Sequence, residues 1–181
     1  MSKNKVEIIG TAVFFDDKLV GELDSVETMC HLIISSELES ATITVPNPYT
    51  SDSNISIYIS LNKATKNKVS LIKNYPYIEC EVNVIGDVLS METSLDLNNP
   101  DTINILNSYV RKYLEDILYS YLYKTSKDFH SDIDNFGKYV LPKYSTWNDW
   151  IESDWLNNYE NAFFKVTVNC NIQDGYLFTK I

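Results

Sequence analysis

Apolar residues recur at steps of three and four over residues 99–128, the longest regular pattern in the chain. The recurring residues are Ile103, Leu106, Val110, Leu114, Ile117, Leu118, Tyr121 and Leu122. This spacing places them on one face of an α-helix, and polar residues such as Asn107 and Glu115 fall mostly on the other. Asn99 can cap the helix with its side-chain oxygen, and Pro100 suits the first turn, where no N–H is needed. The pattern predicts a helix of roughly 30 residues, about 45 Å long, against which the sheet packs.

The N-terminal part of the chain has the pattern of a β-hairpin followed by a short helix. Two apolar runs joined by a pair of aspartates predict two strands and a tight turn. In chain order these are residues 9–15, Asp16-Asp17 and residues 18–23. Asp24 and Glu27 have the spacing of a capping pair and predict a helix from about residue 25 to 35. Its inward face would carry Met29, Leu32 and Ile33.

Alternation of apolar with polar residues predicts four further strands. In chain order they cover residues 41–45, 55–71, 78–89 and 164–172. The polar run 50–54 predicts a loop, and residues 73–76 predict a reversal. The lysines of the 63–68 stretch predict an interruption of the second of these strands, and they would guard an exposed sheet edge. After the long helix, shorter helical segments are predicted over residues 136–144 and 147–155.

This order of elements predicts an α+β fold, with an antiparallel or mixed sheet packed against a long helix and two or three shorter helices. The chain has 181 residues, enough for a sizeable core, and we expect residues 1–181 to form a single domain. Hydrophobic residues make up 44% of the chain and aromatic residues 13%, which indicates a globular protein and not a disordered one.

Charge narrows the possible partners. The formal net charge is -10, which disfavours nucleic acid, because phosphate binding needs clustered Lys and Arg. The same charge disfavours adsorption to an anionic lipid surface. No run of eighteen apolar residues occurs, and the first residues lack the pattern of a signal peptide, so we expect no membrane span and no leader.

The cysteines and one of the two histidines are predicted to be structural. Cys30, Cys80 and Cys170 are far apart and lack metal-ligand spacing, so we expect small buried hydrophobic residues. A disulfide between two of them has no support in the sequence. His31 lies one step from the apolar stripe of its helix and is predicted to be an edge residue, with no role as a ligand or base.

The densest group of ionisable residues follows the long helix and comprises Asp128, His130, Asp132 and Asp134. Read as a calcium loop from Asp132, it fails at position five, Phe136, and at position twelve, Lys143, where a carboxylate is required. We therefore predict no metal site and no cofactor, and interpret these acids as solvated residues of a helix-to-helix turn. A small metal-dependent or His-based hydrolase using His130 and the nearby acids is the alternative, and convergence of these residues in a cleft would favour it.

Three tryptophans within nine residues, Trp147, Trp150 and Trp155, are the best candidates for a partner-contact surface. Their spacing is also typical of a core with one exposed ring. A third possibility is an aromatic ligand-binding module, which would need two or more rings lining one concavity. No nucleophile elbow, P-loop or dinucleotide fingerprint occurs in the sequence.

Several segments together resemble the C-terminal domain of the Ger(x)C spore germination lipoproteins, the C subunits of nutrient germinant receptors. The matching segments are Gly10-Thr11-Ala12-Val13-Phe14, Asp17-Lys18-Leu19-Val20-Gly21, Glu27-Thr28, Thr44-Val45-Pro46-Asn47-Pro48, Ser131-Asp132-Ile133-Asp134-Asn135-Phe136-Gly137 and the 147–155 helix. They span nearly the whole chain in the family's order, and the first two are the most specific.

The resemblance implies an α+β domain that follows N-terminal domains and a lipid anchor, and we expect both to be absent from this sequence. It implies a non-enzymatic receptor component, tethered to the outer face of the spore inner membrane beside integral-membrane receptor subunits and acting through protein contacts. No functional residue is carried over from the family, so the contact residues remain those that composition suggests.

Overall fold

A computed structural model describes residues 10–15, 17–73, 75–93 and 95–173, and it has the predicted α+β class. The strands are β1 (Thr11–Phe15), β2 (Lys18–Leu23), β3 (Ala41–Asn47), β4 (Thr50–Ile72), β5 (Tyr75–Met91) and β6 (Phe163–Gln173). The helices are α1 (Ser25–Ser35), α2 (Pro100–Lys127), α3 (Trp147–Glu152) and α4 (Trp155–Glu160), with 3-10 helices at Phe136–Tyr139 and Leu141–Lys143.

The main sheet has the order β3-β4-β5-β6, and β1 pairs with β2 in a separate hairpin. Neighbouring strands are antiparallel except β5 and β6, which are parallel, so the sheet is of the mixed kind. Alternate residues of β6 are buried, among them Phe164, Val166 and Val168, as the sequence pattern predicted. The long helix α2 packs beside β6 and covers that end of the sheet.

Helix α2 begins as predicted, because the Asn99 side chain accepts a hydrogen bond from the Asp101 N–H at 2.9 Å. The predicted stripe is the buried face, with Leu106, Val110, Leu114, Leu118, Tyr121 and Leu122 at most 1% exposed. The opposite face is not wholly solvated, because Glu115 accepts from the Val168 N–H at 3.1 Å and Asn107 from the Ile172 N–H at 2.7 Å. These two side chains therefore provide hydrogen-bond acceptors for two backbone N–H groups at the free edge of β6.

Helix α1 has the predicted capping box between Asp24 and Glu27. Its last turn covers the part of β4 that extends beyond β3. The Thr65 hydroxyl donates to the Ile33 carbonyl at 2.6 Å, and the Asn67 amide donates to the Ile34 carbonyl at 2.9 Å. This edge is therefore covered by a helix.

Strand β4 departs from the prediction in two ways. Residues 50–54, predicted as a polar loop, already belong to β4, because their backbone pairs with the end of β3. The 63–68 stretch continues the strand with shifts in register, and it does not interrupt the strand. Across the outer face of the sheet, Nζ of Lys66 lies 3.5 Å from Oε2 of Glu81, and Nζ of Lys68 lies 3.6 Å from Oε2 of Glu79. These lysines therefore pair with acids of the neighbouring strand.

The C-terminal part also differs in detail. The predicted helix over residues 136–144 consists of two 3-10 helices, and the tryptophan segment is two helices separated at Asp154, whose φ is 47°.

All three cysteines are free, with Cys30 and Cys80 buried and Cys170 half-buried. Predictions for Ile9, Asp16 and Asn74 fall outside the described residues. Within the part of the chain that the structure describes, no helix is both long and apolar enough to cross a bilayer.

Candidate functional site

The loop of residues 131–137 is built around the carboxylate of Asp132. This carboxylate accepts hydrogen bonds from the backbone N–H groups of Phe136 and Gly137, at 2.8 and 2.7 Å, and from the Trp155 indole at 2.8 Å. Burial raises the pKa of Asp132, and the three donors oppose that rise. The interpretation of Asp132 as a solvated acid was wrong, because it ties the loop to α4.

The carboxylate of Asp134 is buried and ties the same loop to α1 and α2. One oxygen accepts from His31 Nδ1 at 2.9 Å, and the other accepts from the Tyr121 hydroxyl at 2.9 Å. Burial raises the pKa of Asp134, and the hydrogen bond to Asp134 raises the pKa of His31. Asp134 is not a solvated acid either, and His31, predicted as an edge residue, is half-buried with a partner 103 positions away.

The other members of the acidic group lie apart. Asp128 is exposed at the end of α2, and His130 is exposed with Nδ1 at 3.6 Å from Glu160. The four residues therefore do not converge in one cleft, which was the condition favouring a hydrolase. Among the described residues, no group of three or more His, Cys, Asp or Glu side chains has the geometry to hold a metal ion.

The three tryptophans form a graded series from the core to the surface. Trp155 is 8% exposed, Trp150 is half-buried, and Trp147 is 65% exposed. The Trp150 and Trp155 rings stack with centroids 6.0 Å apart, and Trp150 meets Tyr144 edge-on at 5.5 Å. Tyr159, the next ring inward, is fully buried. The stack therefore connects α3 directly to the core.

Gly137 explains how the loop and the stack approach each other so closely. A Cβ at this position would lie 2.9 Å from Trp155 Nε1 and 3.2 Å from Trp150 Cη2. Such a contact would displace one of two packed rings, so glycine is needed here for the close approach. The loop thereby fixes the positions of α3 and α4.

Helix α3 presents two large apolar side chains to the surface. Its start is fixed by a capping box, in which the Thr146 hydroxyl accepts from the Asp149 N–H at 3.1 Å and Asp149 accepts from the Thr146 N–H at 2.9 Å. The Ile151 side chain is 60% exposed. Trp147 and Ile151 are four residues apart and therefore share one face of the helix. Of the predicted contact residues, only Trp147 is therefore fully available to a partner.

A groove of about 420 Å³ runs between α3 and the end of β4. Its lining residues are Leu71, Tyr144, Asp149, Glu152, Ser153 and Asn158. None of the three tryptophans lines it, so the condition for an aromatic cage, two or more rings around one concavity, is not met here. Sequence reasoning missed this groove, because Leu71 and α3 are brought together only by the fold.

Comparison with known proteins gives a consistent result. The chain matches the family model described as "Spore germination B3/ GerAC like, C-terminal" over residues 9–175. The crystal structure of the GerBC protein has the same fold, with a TM-score of 0.72 and 16% sequence identity. That likeness covers 87% of this chain and 48% of the GerBC chain, so this chain spans about half the length of that protein.

No protein of curated function matches the chain. The family match extends over nearly the whole chain and includes the segments that carried the resemblance in the sequence. The fold expected from that resemblance is the fold observed. The chain therefore belongs to the spore germination B3/GerAC-like C-terminal family.

Proposed function

We propose that this chain is a domain of a nutrient germinant receptor C subunit and that it acts through protein contacts. The observation that carries the proposal is the pair Trp147 and Ile151, two large apolar side chains exposed side by side on α3. Protein interfaces are enriched in Trp at their energetic centres, and residues near such centres carry few charges. Family membership and the fold shared with GerBC support the assignment to the receptor.

The rigidity of α3 supports a role in recognition. The capping box fixes its first turn, and the stacking of Trp150 on Trp155 fixes its position on the core. A contact residue held in this way loses little conformational entropy when a partner binds. The partners in this proposal are the integral-membrane subunits of the receptor, at the outer face of the spore inner membrane, where a lipid anchor on the full-length protein would hold the domain.

The role is proposed to be non-enzymatic and to use no cofactor or metal. His31 commits its Nδ1 to Asp134, and His130 lies on the surface beside Glu160. Neither histidine is paired with a serine or cysteine nucleophile among the described residues, which is the arrangement that nucleophilic catalysis needs. Residues 1–181 are proposed to form one domain, because the buried residues of the sheet, α1, α2 and α4 belong to a single core.

The test replaces Trp147 by Ala in the full-length protein and measures both nutrient-triggered germination and co-purification with the receptor subunits. Phe163→Ala is a matched control, because Phe163 is a large apolar residue that is 59% exposed and belongs to β6, not to α3. We expect Trp147→Ala to reduce both readouts about tenfold or more, as interface tryptophans do, and to leave the melting temperature unchanged. Normal germination and normal co-purification of Trp147→Ala would overturn the proposal.

A further inference from the structure

The hairpin of β1 and β2 ends in large apolar side chains that the rest of the domain leaves exposed. Phe14 is 58% exposed and Leu19 is 54% exposed. These two residues are paired across the hairpin, so they lie on one of its faces. Phe15, the next residue along β1, points to the other face and is 44% exposed. Both faces are therefore open here, and we call Phe14, Phe15 and Leu19 the hairpin end.

The opposite half of the hairpin is fixed to the domain. Val13 and Leu23 are 4% and 2% exposed and belong to the core. Gly21 lies so close to Phe129 that a Cβ added to it would be 2.1 Å from Cε1 of the ring. The hairpin end is therefore presented on strands whose position is already set, and such side chains lose less conformational entropy when they are buried by a partner.

The comparison with GerBC indicates what lies next to this hairpin in a longer protein. The matching family model describes a C-terminal part, and the likeness to GerBC covers only 48% of that chain. In a protein of this organisation the preceding chain enters at Gly10, the residue before β1. The five residues of β1 span about 17 Å, which is less than the diameter of a 100-residue domain, whose radius of gyration is about 13 Å. A preceding domain can therefore reach the hairpin end.

We propose that the hairpin end packs against an apolar surface of the N-terminal part of the full-length protein and thereby fixes the orientation of this domain relative to that part. The inference rests on the proposed function only in treating this chain as one domain of a longer subunit. Clusters of exposed apolar side chains mark interaction surfaces. Because the two parts belong to one chain, their effective concentration is on the order of millimolar, and a contact of a few side chains is enough to hold them together.

The sequence of the turn disfavours a lipid surface as the occupant. Asp16 and Asp17 connect Phe15 to Lys18, so two carboxylates directly adjoin the hairpin end in the sequence. Anionic lipid headgroups repel these charges, and their transfer out of water is costly. A protein surface can cover the apolar side chains and leave the acidic turn in water.

The experiment measures hydrogen exchange of the backbone amides of residues 11–23 in two proteins, the chain of residues 1–181 and the full-length protein, both without receptor subunits. Amides at the hairpin end exchange through local opening, which a docked partner suppresses. We expect exchange at residues 14–20 to be at least about tenfold slower in the full-length protein. Equal exchange rates in the two proteins would overturn the inference.

A double variant, Phe14→Ser with Leu19→Ser, tests whether the hairpin end makes the contact. It should abolish the difference in exchange between the two proteins and leave the melting temperature of the 1–181 chain unchanged, because both side chains are exposed. Ile72→Ser is the matched control, since Ile72 is a large apolar residue that is 55% exposed and belongs to β4. It should keep the full difference in exchange. Protection that the double variant retains would place the contact elsewhere and overturn the inference.

Other occupants give different results. Slow exchange in the 1–181 chain that depends on its concentration would identify a second copy as the partner, and slow exchange only after addition of phosphatidylcholine vesicles would identify a lipid surface. Either result overturns the inference. None of these measurements involves receptor subunits, so their failure leaves the proposed role of Trp147 standing. Normal germination and co-purification of Trp147→Ala, in contrast, would overturn that role and leave the docking of the hairpin end intact.

Discussion

The layer of α2 against the main sheet and the segment of residues 128–162 are held together in different ways. In the first region, six apolar side chains of α2 lie at most 1% exposed on one face of the helix. Burial of such residues is non-directional and scales with the apolar area removed from water. In the second region, short helices are attached to the core through two carboxylates, Asp132 and Asp134, and a stack of aromatic rings.

Because of this difference, substitutions destabilise the two regions through different physical effects. Loss of an apolar side chain in the first region leaves a cavity, and the cost follows the volume removed. Loss of a partner in the second region leaves a buried donor or acceptor without a hydrogen bond, and the cost follows geometry. The candidate contact residue Trp147 lies in the second region, so its placement depends on these hydrogen bonds and on the stack of Trp150 and Trp155.

The largest expected effect concerns the apolar region. Leu114→Ala removes a fully buried side chain in the middle of α2 and should lower the free energy of unfolding by about 2–5 kcal/mol. Ile105→Ala, at a position 44% exposed on the same helix, is the matched control and should lower it far less. Urea unfolding measures both. A loss below about 0.5 kcal/mol for Leu114→Ala would mean that this face of α2 is not the core.

The next effect concerns the contact of Gly137 with the rings of Trp150 and Trp155. Gly137→Ala would place a methyl group against Trp155 and Trp150, and overpacking of this kind costs about 1–3 kcal/mol. We expect a change in tryptophan fluorescence as well, because the stacked rings must move. Ser145→Ala, at an exposed position of the same segment, is the control and should alter neither property. An unchanged spectrum would show that the loop does not set the position of the stack.

A smaller effect concerns the dependence of stability on pH. The hydrogen bond to Asp134 raises the pKa of folded His31 above the ordinary value of 6.5. Its stabilising contribution is therefore complete below pH 6.5 and is lost as the pH rises through the folded pKa. We expect the free energy of unfolding to fall over this window by less than about 1 kcal/mol, since His31 is partly exposed.

The control for this effect is the second histidine of the chain. His31→Gln should flatten the pH profile above pH 6.5, where the raised pKa of folded His31 makes stability fall with rising pH. His130→Gln makes the same substitution at an exposed position that does not contact Asp134 and serves as the comparison. If both variants retain the slope, another group is responsible and the link between α1 and the loop is weaker than the geometry indicates.

The smallest expected effect is the response to metal ions. The carboxylates of Asp132 and Asp134 already accept hydrogen bonds from backbone, indole, imidazole and hydroxyl donors of the protein. Calcium or zinc should therefore leave the melting temperature unchanged, since a ligand that binds the native state must raise it. A saturable rise in melting temperature would show that these acids can exchange their protein donors for a metal ion.

Much of the first region could be predicted from the sequence. The cap at Asn99, the stripe of α2 and the alternation in β6 are local patterns, and all three were confirmed. The loop prediction for residues 50–54 was wrong for a physical reason. Their side chains have turn chemistry, but the backbone hydrogen bonds available from the neighbouring strand β3 outweigh that preference.

The sequence by itself determined most of the elements, the buried faces of α2 and β6, and the family, because periodicity, capping residues and short motifs are properties of neighbouring positions. Only the tertiary structure decided that Asp134 meets His31 across 103 positions and that Trp147 is the exposed ring of the three. It also decided that Asn107 and Glu115 cover the edge of β6. A buried polar group must find its partner wherever the fold brings one, so the partner of each such residue depends on the folded arrangement as a whole.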